Sequence, residues 1–227
     1  MAYVKQNFKS GDTLYASQLN AMDNELKAVS DAVAELAYKQ IVIPAFSASP
    51  STAELGSTVS SVVLSWTINK VPTSLKIDGV TVASASASGT VTKNGSYTAA
   101  QNWLLTATDE RGMTATKTAA LQFLNRIYYG AAPAPGEIDS AFLLALANTP
   151  LAESRARTFT VTAGNGEYIW YAIPARKGNC SFEVGGFAGG FALVSTFDHM
   201  NASGYTESYA VYRSDNSGLG ATMVEVS

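Results

Sequence analysis

Chemistry on a protein needs clustered titratable or nucleophilic groups, and this sequence holds a single histidine, His199, beside Asp198 in Phe197-Asp-His-Met200. A Ser-His-Asp relay requires the three groups within hydrogen-bond reach. Neighbours along a strand point to opposite faces, so Asp198 is badly placed to orient His199, and no Gly-x-Ser-x-Gly elbow presents a serine. Cys180 is the only cysteine, nineteen residues before the histidine, and offers neither a disulfide nor a zinc cage. Acidic residues are scattered rather than spaced as in a calcium loop, and no pair stands out as the facing carboxylates of a glycosidase. Gly185-Gly-Phe-Ala-Gly-Gly190 lacks the basic residue and following helix that would hold phosphate, and reads as turns or a bulged hairpin. The expectation is therefore no catalytic, cofactor or metal site, and a protein that is not an enzyme.

Aromatic side chains are the other source of recognition chemistry. Tyr168, Trp170, Tyr171, Tyr205, Tyr209 and Tyr212 crowd the C-terminal third. Exposed, such residues form docking surfaces for sugars or proteins; buried, they fill a core. Alternation places Trp170 on one face of its strand and Tyr171 on the other, so some of the set must line a core. Tyr205, Tyr209 and Tyr212 are the candidates for ligand contact.

The elements that would position these groups change character along the chain. From Tyr15 to Gln40 there is neither Gly nor Pro, and Leu19, Met22, Leu26, Val29, Val33 and Leu36 recur at alternating spacings of three and four. That is a heptad seam, with Asp12 or Thr13 as the expected N-cap. About three heptads are marginal alone, so partner helices are required, unless the stripe folds onto its own chain.

Pro44 ends the helical pattern, and a period of two takes over. Val62, Leu64, Trp66 and Ile68 alternate with polar neighbours, as on a half-buried strand. Asp78-Gly79 between Leu75-Lys-Ile77 and Val80-Thr-Val82 predicts a tight hairpin, and Asp109-Glu-Arg-Gly112 a second one after Trp103, Leu105 and Ala107. About seven short strands with an early tryptophan suit an immunoglobulin-like sandwich. Gly130-Ala-Ala-Pro-Ala-Pro-Gly136 reads as a stiff linker, followed by a short helix from Asp139 to Ala147 closed by Asn148. Six further strand-like runs, from Thr158 to Val226, predict a second antiparallel sandwich. The expected fold is mainly β: a coiled-coil helix over residues 1–43, an Ig-like sandwich over 44–128 and a second sandwich over 129–227.

Charge narrows the partners. A net charge of −3 gives no basic footprint for nucleic acid. The longest apolar run, Phe142 to Ala147, is too short to span a bilayer. Charged residues are only 15% of a chain rich in Ser, Thr, Ala and Gly, a surface suited to sharing with neighbouring subunits.

The leader Phe8-Lys-Ser-Gly-Asp-Thr-Leu-Tyr-Ala-Ser-Gln-Leu-Asn-Ala-Met-Asp-Asn-Glu-Leu26 resembles that of many tailed-bacteriophage tail-fibre and baseplate proteins, through Gly-x-x-Leu-x-Ala-x-x-Leu-Asn. Phe123-Leu-Asn-Arg-Ile-Tyr-Tyr-Gly130 is similar to the motif that leaves a phage Ig-like module. Ser154-Arg-Ala-Arg-Thr-Phe-Thr-Val161 through Ala202 to Asn216 is similar to runs in phage structural proteins. The resemblance implies a virion protein of the tail-fibre, baseplate or capsid-fibre kind, assembled in the host cytoplasm. It implies a homotrimer or part of a ring, with other virion proteins as partners. A receptor-binding role, in which the C-terminal module takes host-surface glycan or protein, is the alternative.

Overall fold

The computed structural model describes Lys9, Gly11, Thr13 and every residue from Tyr15 to Ser227. The chain divides into two compact units, one ending at Gln40 and one running from Ile41 to Ser227. The fold is mainly β with an N-terminal helix, as the spacing predicts.

That helix is α1 (Ala16–Ala37). It starts two or three residues later than expected. Tyr15, not Thr13, is the N-cap residue, and the Gln18 side chain accepts from the Tyr15 backbone N–H at 3.0 Å. This is the reach-back half of a capping box, in which a long side chain at the third helical position satisfies the N-cap backbone N–H. Asp12, the other expected cap, lies outside the described residues, as do Phe8, Ser10 and Leu14 of the leader. Lys27 and Asp31 pair across one turn at 2.9 Å, worth a few tenths of a kcal/mol at about 0.3–0.5.

The first sandwich comprises β1 (Ala45–Ser49), β2 (Thr52–Glu54), β3 (Val59–Thr67), β4 (Ser74–Ile77), β5 (Val80–Thr81), β6 (Ser88–Tyr97), β7 (Gln101–Thr108) and β8 (Thr114–Leu124). Strands β1-β3-β6 form one sheet, and β2-β8-β7-β4-β5 the other, with β2 parallel to β8. Val62, Leu64 and Trp66 from the first sheet meet Leu75, Ile77, Trp103, Leu105 and Leu121 from the second in one core. Full burial of each large side chain stabilises by about 1.5–3 kcal/mol. Ile41 and Ile43, assigned to the helical segment from sequence, belong to this core. Both expected hairpins are present. Asp78 and Gly79 adopt φ of 52° and 80°, as a type I′ turn requires. Asp109 ties the other turn: its carboxylate accepts from the N–H groups of Arg111 and Met113, and from Ile41 at 3.4 Å.

The second sandwich comprises β9 (Tyr128–Pro133), α2 (Ser140–Ala145), β10 (Arg157–Ala163), β11 (Glu167–Pro174), β12 (Phe182–Val184), β13 (Phe187–Ala188), β14 (Phe191–Met200), β15 (Thr206–Ser214) and β16 (Gly220–Val226). Sheet β14-β15-β11-β9 packs one face on sheet β10-β16-β12-β13 and the other on α2. This explains Ile169-Trp-Tyr-Ala-Ile-Pro174, six successive buried residues on a strand covered on both sides.

Two expectations fail here. The stretch read as a stiff linker is half strand, because Tyr128–Pro133 pairs antiparallel with β11 from Ala172 to Glu167. Pro133 is tolerated because β9 is an edge. Gly130 suits close packing: a Cβ there would sit 3.1 Å from the Ala147 backbone nitrogen, a tight contact. Helix α2 is capped by Asp139, which accepts from Phe142 N–H at 2.8 Å, but it ends at Ala145. Asn148 exchanges two backbone hydrogen bonds with Tyr129 instead of closing the helix.

Candidate interaction surface

The heptad positions lie where the spacing puts them, on one stripe of α1, and no residue of that helix is buried. Exposure along the stripe runs from 48% at Met22 to 88% at Leu36. A soluble helix normally turns such a stripe to a core. Here Leu19, Leu26 and Val33 recur every seven residues along it, as do Met22, Val29 and Leu36, and all six are exposed. The stripe can take apolar side chains of other helices, and its chemistry extends no further than that.

The tyrosines behave differently from the expectation of ligand contact. Tyr209 and Tyr212 are buried, and their hydroxyls are engaged: Tyr209 donates to the Arg126 carbonyl at 2.8 Å, and Tyr212 accepts from Cys180 N–H at 3.1 Å. They fill cores on opposite faces of β15, because alternation sends one toward α2 and the other toward the facing sheet. Neither can meet a ligand. Tyr205 alone is half-buried, packed beside Gly56. The large exposed aromatic of this module is Phe187, 80% exposed on the hairpin between β12 and β13. Its glycine-rich surroundings marked the turn in the sequence without marking the exposure.

His199 is a core residue. Its Nε2 lies 3.0 Å from the Tyr128 hydroxyl, its ring is edge-on to Tyr128 and Tyr209, and Nδ1 is buried with no partner among the described residues. Burial pushes its pKa below the ordinary histidine value. Asp198 is exposed on the other face of β14, so the pair is divided as alternation requires. Burial likewise pushes the Cys180 thiol up, away from thiolate chemistry. Among the described residues no three His, Cys, Asp or Glu side chains gather as a metal site, and no helix is long and apolar enough to cross a membrane.

The junction between the sandwiches was not legible in the sequence. Glu54 pairs with Arg126 at 3.0 Å, Asn125 Nδ2 donates to Glu207 at 3.2 Å, and Arg176 meets the same carboxylate at 3.0 Å. Asn201 Nδ2 donates to the Leu55 carbonyl at 2.8 Å. The partners come from distant stretches of chain, so no local pattern could announce them.

No known protein-family model matches this chain, and no curated protein is similar to it.

Proposed function

We propose that this chain is a structural component of a bacteriophage virion, of the tail-fibre, baseplate or capsid-fibre kind. In this reading α1 binds copies of itself as a homotrimer, and contacts other virion proteins, while the two sandwiches are carried as a display. The observation that supports it is the stripe of Leu19, Met22, Leu26, Val29, Val33 and Leu36, exposed along its whole length on a helix with heptad spacing. The phage-like leader supplies the setting. The strand order of the first sandwich, β1-β3-β6 against β2-β8-β7-β4-β5, supports an immunoglobulin-like module. The work is geometric rather than catalytic.

Light scattering on the full chain tests the oligomer. The full chain is expected at three times its mass, and Leu26→Glu with Val29→Glu at one. A monomeric mass for the unaltered chain refutes self-association.

A second reading, display of a receptor-binding tip, draws on Phe187, an aromatic held out on a hairpin as interface anchors are. Phe187→Ala is then expected to abolish binding to host cells without changing the oligomer, and unchanged binding sinks that reading.

A further inference from the structure

The two sheets of the first sandwich end at β5 and β6, and residues of both strands line one opening. Strand β5 has two residues and β6 has ten, so the shorter edge leaves the core uncovered beside the longer one. The opening is a cavity of about 380 Å³, within the range of about 300–1,000 Å³ for small-molecule sites. Buried Trp66 and Ile77 line it together with the more exposed Val80, Val82 and Val91. The indole is held in place, since its Nε1 donates to the Ser86 carbonyl at 3.2 Å. Gly89 lets β6 lie against the ring, because a Cβ there would stand 2.5 Å from it.

Lys93 is the one charged residue of this lining. It follows Gly89 and Val91 at alternate positions of β6, on the side that faces the core. No carboxylate lines the cavity, and Lys93 has no hydrogen-bond or ion-pair partner among the described residues. An inward cation on an edge strand discourages pairing by a stray strand. Beside an apolar space, it also calls for an anion. A lysine ammonium is a compact point charge, matched by a single carboxylate. The valines, Ile77 and Trp66 reward a hydrocarbon body, which neither a sugar nor inorganic phosphate brings. With no acidic side chain in the lining, nothing there repels the anion.

We propose that this cavity binds an apolar monocarboxylate, a short fatty-acid type of ligand. Its carboxylate pairs with the Lys93 ammonium, and its tail lies against Trp66, Ile77, Val82 and Val91. The site lies within the unit from Ile41 to Ser227 and is independent of helix self-association.

Isothermal titration of the full chain with hexanoate, heptanoate, octanoate and octanol decides it. Octanoate is expected to bind saturably, and each methylene from hexanoate to octanoate to tighten binding about fourfold. Octanol should bind about tenfold more weakly than octanoate, the scale of one lost charge-assisted contact. Lys93→Met keeps the apolar stem and should erase that difference. Should Lys93→Met fail to fold, Ala83→Trp at an exposed position of the lining must block the cavity and abolish octanoate binding. Absent octanoate binding, affinity that does not change with tail length, octanol as tight as octanoate, or a preference unaltered by Lys93→Met overturns the assignment. Octanoate must also bind the Leu26→Glu/Val29→Glu chain undiminished, and loss there assigns the binding to the helix seam instead.

Discussion

Asn201 donates from its side-chain amide to the carbonyl of Leu55 across 2.8 Å and 146 positions of sequence. The same residue accepts from Ser203 and Tyr205 N–H through Oδ1, so it shapes its own turn while holding the first sandwich. Gly56 completes the contact, since a Cβ there would stand 2.6 Å from the Tyr205 Cβ. The two sandwiches are therefore joined by a bonded surface rather than by a tether.

Breaking that surface has a measurable cost. Asn201→Ala removes three hydrogen bonds at a buried position and is expected to destabilise by about 2 kcal/mol in denaturant titration. Gly56→Ala combines the clash with a φ of +87° and should cost at least as much. Unchanged midpoints in both variants would show that the junction contributes nothing to stability.

Asp109 holds the turn between β7 and β8, accepting from three backbone N–H groups and lying 3.4 Å from the Lys70 ammonium. Asp109→Ala leaves buried donors unsatisfied, and a loss of about 3 kcal/mol is expected from the thermal or urea midpoint.

The helix should respond to concentration. Twenty-two residues with exposed apolar positions are marginal alone, so helical circular dichroism at 222 nm should rise with protein concentration and collapse in Val29→Asn. A helical signal that is independent of dilution across the oligomer's dissociation argues against self-association.

His199 gives the fold an acid-sensitive point. Burial lowers its pKa in the folded state, so the unfolded chain binds the proton more readily. Its contribution is complete above the ordinary value of 6.5 and is lost as pH falls below it toward the folded value. His199→Gln, which can still hydrogen-bond Tyr128, should show a shallower fall in urea midpoint between neutral and mildly acidic pH. An identical pH dependence would contradict the burial.

Tyrosine ionisation runs in the opposite sense. Burial raises Tyr128 to about 12 and pushes Tyr171 and Tyr209 up as well. The neutral phenols stabilise the fold below the ordinary value of 10, and that contribution is lost as pH rises through the folded values. Absorbance titration at alkaline pH should therefore leave a group of tyrosines silent until the fold opens.

Local patterns in the sequence determined the elements. The heptad spacing of Leu19 to Leu36 dictated α1, Asp78-Gly79 dictated its hairpin, and alternation put Trp170 and Tyr171 on opposite faces, because each of these depends on residues a few positions apart. Tertiary structure alone decided what those faces meet. Pairing with β11 turned the apparent linker at Gly130 into an edge strand, and a covering helix buried Tyr209. Asn201 and Arg126 acquired their roles at the junction, where Leu55 and Glu54 come from the first sandwich. Contacts between segments more than a hundred residues apart leave no periodic trace, since packing selects them only after the elements exist. The exposed seam of α1 and the bond from Asn201 to Leu55 show the two cases: a period announces the first, and only a fold reveals the second.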